Sequence, residues 1–212
     1  MVIYAQDPSF QTWASSIWDG DSKIYINKFS HPLGEGIGFD KILTASRELW
    51  DMQHSYIDSL IKDGCISEIT HVFSEFPPPV GNFAAGLYGL DTFVISKLYD
   101  TYDTIKDVYG FSPSYLQTVH STKNYSKSDS TRLAKYFMNE VLQNDFEFVI
   151  PDNVSDTGRR TKGTMNNDKA ESFLFLLRAF VKYDVKGLGQ KISLEMSGLG
   201  IEAEKLLLER SI

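Results

Sequence analysis

The sequence predicts an α/β domain: a mixed central sheet of about five strands with helices on both faces. Three observations carry this. Short apolar or alternating runs open the chain at 2–6, 12–18 and 23–29. Longer stretches at 39–62, 82–108, 128–142 and 166–183 repeat apolar residues every three or four positions, the helical spacing. Further short apolar runs separate them at 69–76, 115–119 and 146–150. Three strands, then helix, strand, helix, strand and more helices is an order that leaves a mixed sheet covered on both sides.

The elements follow from local chemistry. Residues 2–6 form a short buried strand that stops at the turn-forming Asp7-Pro8-Ser9. Thr12–Trp18 is a second strand, and Asp19-Gly20-Asp21 is a hairpin signal. In the third strand, Ile24, Ile26 and Lys28 share one side while Tyr25, Asn27 and Phe29 share the other, which makes an antiparallel meander. GEGIG at 34–38 lacks the Lys-Ser/Thr of a phosphate loop and is a connection. A helix over Phe39–Lys62 is closed by Gly64, and a central strand over 69–76 ends at Pro77-Pro78-Pro79. An aromatic-rich helix is expected over 82–108 and a fifth strand over 115–119. Ser128 or Asp129 caps a helix to about Leu142, and 151–165 is a polar loop. Asn166 or Asn167 caps a helix to about Tyr183, and 187–212 adds a final amphipathic helix.

Composition removes several classes. A chain of 212 residues suits one domain with a full core, and its 42% hydrophobic content excludes a disordered chain. No apolar run approaches the roughly 18 residues of a membrane helix. The N-terminus lacks the basic start and apolar core of a signal peptide, so a cytoplasmic protein is expected, in the host cytoplasm if viral. A single cysteine, Cys65, excludes an internal disulfide and a CxxC metal site. The net charge of −7 counts against a general nucleic-acid binder, so any DNA contact must come from basic residues clustered on one face.

Four acidic residues stand where chemistry needs them. Hydrolysis of a phosphodiester by two metal ions requires carboxylates converging from the ends of neighbouring elements, with room for a phosphate. Asp7 ends the first strand, though Asp-Pro is also a common turn opener. Glu75 ends an apolar strand, where a carboxylate is costly unless paired or solvated. Asp168 and Glu171, three apart, project from one face of a helix whose following FLFLL run is buried. Their plainer role is to complement the helix dipole.

Together these residues resemble a known family. Asp7-Pro8-Ser9 followed by Thr12-Trp13-Ala14 is similar to the opening Asp-Pro-Gly and Thr-Gly of RuvC-type Holliday-junction resolvases. Glu75-Phe76-Pro77 resembles their second acidic motif, and Asp168-Lys169-Ala170-Glu171 their closing Asp-x-Ala-Asp. Ser9 and Glu171 depart from the usual glycine and aspartate, closer to the divergent resolvases of bacteriophages. The resemblance implies an RNase H-like fold over residues 1–185, with 186–212 as a C-terminal helical extension. It implies an endonuclease that cuts four-way or branched DNA, with Asp7, Glu75, Asp168 and Glu171 holding Mg²⁺, for which Mn²⁺ would substitute. Hydrolysis of RNA–DNA hybrids, or a non-catalytic scaffold, are the alternatives on the same fold.

DNA contacts are expected from Lys123, Lys127 and Arg132, and from Arg159, Arg160 and Lys162 in the loop before the last motif. Lys127-Ser128 matches a Lys-Ser pair of the family, and His120 is an auxiliary candidate near phosphate or water. The resemblance implies a homodimer, since symmetric cutting needs two sites. The helix at 83–102, with Phe83, Leu87, Leu90, Phe93 and Val94, is the expected interface.

Overall fold

The computed structural model describes residues 1–31, 38–75, 84–111, 127–154, 160–161 and 163–197. The meander forms as expected: β1 (Ile3–Pro8), β2 (Thr12–Trp18) and β3 (Lys23–Ser30) pair antiparallel in sequence. Gly20 makes the β2–β3 turn with φ +95°, and a side chain there would press on the Met1 carbonyl. The Asp19 carboxylate accepts the Asp21 and Lys23 amides at 2.7 and 3.1 Å, fixing the hairpin register.

Helix α1 (Phe39–Lys62) has the predicted bounds and stops at Gly64, whose φ is +68°. It leads into β4 (His71–Glu75), parallel to β1. Helix α2 (Ala84–Thr101) is shorter than expected, and β5 (Asp107–Phe111) pairs parallel with β4. Val108 therefore belongs to a strand, and the strand expected at 115–119 lies outside the described residues. The physical reason is a turn: the Thr104 hydroxyl donates to the Ile69 carbonyl at 2.7 Å, and the Lys106 amide to Thr70 O at 2.9 Å. These bonds tie the chain to the entry of β4, so the following residues extend along it.

Helix α3 (Lys127–Tyr136) runs on as a π-helical turn over Phe137–Val141. Strand β6 (Glu147–Val149) joins the sheet parallel to β3. The loop expected over 151–165 contains a small hairpin, β7 (Asn153–Val154) with β8 (Arg160–Thr161). Helix α4 (Asn167–Tyr183) begins at Asn166, whose side chain accepts the Lys169 amide at 3.0 Å. A further helix occupies 189–197; the expected start at Gly187 and Leu188 is instead the end and C-cap of a 3-10 turn over Val185–Gly187, and 198–212 lie outside the described residues.

The sheet order is β5-β4-β1-β2-β3-β6, with β2 antiparallel to the others. Its first five strands give the order 3-2-1-4-5 of an RNase H-like fold. Two cores flank it. On one face α4 lies across β1, β2, β3 and β4, with Phe173, Phe175 and Phe180 fully buried among Ile3, Ile24 and Phe73. On the other face Leu49 and Ile57 of α1 and Val94 and Leu98 of α2 cover Tyr4, Trp13 and Val72. Leu90 and Val94, expected at a dimer interface, are core residues at 3% and 0% exposure, and Phe93 packs against the same core. Phe83 lies outside the described residues, as does the Leu87 side chain. Among the described residues no helix is long and apolar enough to cross a membrane.

Candidate active site

The carboxyl ends of β1 and β4 and the first turn of α4 meet at one edge of the sheet. Along β1, Ile3 and Ala5 enter the α4-side core and Val2 and Tyr4 the opposite one, so alternation turns Asp7 toward α4. Along β4, Phe73 is on the α4 side, which places Glu75 there too. Gln6 pairs with Ser74, so Asp7 and Glu75 come next to each other on adjacent parallel strands. The Asn166 cap sets the start of α4, and Asp168 and Glu171, one helical turn apart, face the strand ends.

Carboxylate oxygens of Asp7, Asp168 and Glu171 all lie within 4.8 Å of one another. Glu75 and Glu171 both act on the Asp7 carboxyl at close range, so Glu75 belongs to the same acidic cluster. Asp7 is the buried centre, 9% exposed, while Glu75, Asp168 and Glu171 are partly exposed. Burial holds the Asp7 carboxyl well above the usual carboxylate range. The Glu75 charge and hydrogen bond and the Asp168 charge push the same way, and a hydrogen bond with Glu171 opposes them. Negative charge crowded onto close-set hard oxygen donors fits a small divalent cation.

Neighbouring residues hold the acids. The buried Ser130 hydroxyl, on the first turn of α3, donates to Glu171 Oε1 at 3.2 Å. Beside it Thr131 donates to Asn167 Oδ1 at 2.7 Å, so the two helix starts are docked together. Ser16 on β2 and Ser172 on α4 share a buried 2.9 Å hydrogen bond that fixes the helix over the sheet. The Lys28 ammonium is ion-paired with Asp168 Oδ2. Sequence reasoning missed Ser130, Ser172 and Lys28. The signal for Lys28 was present: a lysine on the inward side of a strand, in line with Ile24 and Ile26.

The basic candidates are less completely placed. Arg132 is exposed on α3, one residue beyond Thr131. Lys127 opens α3 and Arg160 opens β8. Lys123, Arg159, Lys162 and His120 lie outside the described residues.

Topology and site together define an RNase H-like fold with an acidic centre at its strand ends. Among solved structures the chain is similar to Thermus thermophilus RuvC. It is 9% identical over 87% of this chain and 98% of that one, with a TM-score of 0.42. It is likewise similar to T. thermophilus RuvC in complex with Holliday junction substrate, at 10% identity, 84% and 96% coverage and a TM-score of 0.45. No family model and no curated protein matches the chain. The fold assignment stands on strand order and register.

Proposed function

We propose that this chain is a metal-dependent, structure-selective endonuclease that hydrolyses branched DNA, four-way junctions foremost. The observation that carries this is the convergence of Asp7, Asp168 and Glu171 within 4.8 Å, with Glu75 beside Asp7 on the adjacent parallel strand. Three elements far apart in sequence deliver these carboxylates to one edge of the sheet. The order of the three acidic motifs supports the substrate class.

On this reading Asp7, Glu75, Asp168 and Glu171 would hold Mg²⁺, with Mn²⁺ as a substitute. When bound, the metal supplies an activated water at neutral pH and neutralises charge on the phosphate oxygens. The chain itself aims the donors: the strand register sets Asp7 beside Glu75, the Asn166 cap sets Asp168, and Ser130 orients Glu171. The nuclease unit is residues 1–185 and 186–212 its helical extension, whose Ile192 and Met196 enter the α4-side core. Lys123, Lys127, Arg132, Arg159, Arg160 and Lys162 contact DNA phosphates, His120 assists, and the working unit is a homodimer.

The test is incubation with a labelled synthetic four-way junction, with and without Mg²⁺. Paired, Mg²⁺-dependent nicks on opposite strands are expected. Cleavage of an RNA–DNA hybrid and not of the junction would make the chain a hybrid nuclease. Junction binding without cleavage under Mg²⁺ or Mn²⁺ would make it a scaffold.

A further inference from the structure

The carboxylate cluster carries a cation of its own. Cross-strand register sets Asp7 opposite Ala14 and Ala14 opposite Lys28, so the three form one row on the α4 side of the sheet. The small Ala14 side chain between them leaves space above it for α4. Lys28 reaches into this space, where its Nζ pairs with Oδ2 of Asp168, each side chain only 20% exposed. The next lysine on α4, Lys169, is buried and turns its ammonium to the Thr164 carbonyl at 3.4 Å. The pair with Asp168 thus belongs to Lys28.

A half-buried lysine on the inward face of β3 is costly to desolvate unless an opposite charge holds it. Here the opposite charge is an oxygen of one of the three carboxylates grouped within 4.8 Å. An ion taking that oxygen must displace the ammonium, and it enters a field that the ammonium has already weakened.

We propose that Lys28 is a positioning residue that acts as an exchangeable counter-ion. It holds the acidic cluster together without a divalent ion and is displaced from Asp168 when one binds, which lowers the site's affinity. The proposal rests on the metal-dependent reading above, and it adds a residue and a consequence that reading does not contain.

The experiment is calorimetric titration of Mn²⁺ into the full-length chain without DNA, with melting curves recorded in EDTA and in Mn²⁺. Lys28→Met should bind Mn²⁺ roughly tenfold or more tighter than the parent, since one neighbouring positive charge and one competitor are removed together. It should also melt lower than the parent in EDTA and recover most of that loss in saturating Mn²⁺. Lys28→Arg, which keeps the charge, should bind no tighter than the parent. A lysine that only packs would lower stability in both solutions and leave affinity unchanged or weakened, and that result overturns the proposal. Should Lys28→Met fail to fold, Lys28→Gln must show the same gain in affinity, and its absence is equally decisive. A parent that binds no Mn²⁺ at all overturns the metal site and this proposal together. A parent that binds, with neutral variants binding no tighter, overturns this proposal alone.

Discussion

The carboxylates of Asp7 on β1 and Asp168 on α4 are brought within 4.8 Å of each other from opposite ends of the domain. Asp7 is the more buried, and the other acids raise the cost of its charge. Both effects stabilise its neutral form, so the folded chain without metal bears a penalty at neutral pH that the unfolded chain does not.

Asp7→Asn removes that penalty and a metal donor together. In EDTA at neutral pH the variant should melt above the parent. A gain on the order of 1 kcal/mol would raise the melting temperature of a chain this size by about 2–4 °C. Junction cleavage should be lost while junction binding is retained or strengthened. Scanning calorimetry and a cleavage assay on one preparation check both. A variant that still cuts at ordinary Mg²⁺ removes Asp7 from the ligand set.

Glu171 separates chemistry from packing. Its Oε1 accepts from Ser130, and a glutamine amide oxygen can accept the same bond. Glu171→Gln should therefore change the melting temperature little, since a helix-dipole contribution is only about 0.3–1 kcal/mol. The cleavage rate should nevertheless fall by orders of magnitude. Glu171→Asp should keep part of the rate, because the shorter carboxylate remains on the same helix face. Single-turnover rates on the junction decide it: a Glu171→Gln variant as fast as the parent means that Glu171 is no ligand.

Most of the frame was legible because its signals are local. The meander shows in period-two alternation and Asp19-Gly20-Asp21, the limits of α1 in its apolar stripe and Gly64, and the start of α4 in Asn166. The β5 region was misread because Leu98, Tyr102 and Ile105 all enter the α1-side core, a spacing that looks like one continuing helix. What breaks it is tertiary: hydrogen bonds from Thr104 and Lys106 to the β4 entry, which no window of sequence displays. The four acids stood out in the sequence because charge at the end of an apolar element is conspicuous. The alternation of β3 marked Lys28 as inward-facing, but its partner Asp168, like the partner of Ser130, lies across the fold and shows in no window of sequence.

One layer below the acids, on the α1 side, a polar row crosses four strands: Ser74, Gln6, Ser15 and Asn27. Gln6 donates to the Ser74 hydroxyl at 3.1 Å, and Ser74 donates to the Glu75 carbonyl at 3.2 Å. The Gln6 Oε1 has no partner among the described residues. Ser74→Ala leaves the Gln6 amide buried without this bond and should cost about 1–3 kcal/mol. Adding Gln6→Leu removes the orphaned group and should restore most of the loss. Urea melts of the single and double variants test this, and a double variant less stable than Ser74→Ala would show that the row is held by packing alone.

The last prediction concerns how an acidic chain holds DNA. With a net charge of −7, long-range attraction is unfavourable, and binding must come from a few basic residues placed against phosphates. The segment carrying Arg159, Arg160 and Lys162 precedes Asp168 by only a few residues in sequence. Arg160 opens β8, which pairs with β7, and the Gly163 amide donates to the Asp152 carboxylate at 3.2 Å. The chain then buries Met165 and caps α4 at Asn166, just before Asp168. Phosphate contacts are expected from these three basic residues. Each such contact releases counterions and steepens log K against log salt by about 0.9 on duplex DNA. Replacing all three residues by glutamine should weaken junction binding most at low salt and flatten the slope by up to about 2.7. Melting temperature and Mn²⁺ affinity should not change, because none of the three is a carboxylate ligand. Filter binding of an uncleavable junction between about 50 and 200 mM salt measures the slope. A slope equal to the parent's would make this segment solvated surface and shift the phosphate contacts to Lys123, Lys127 and Arg132.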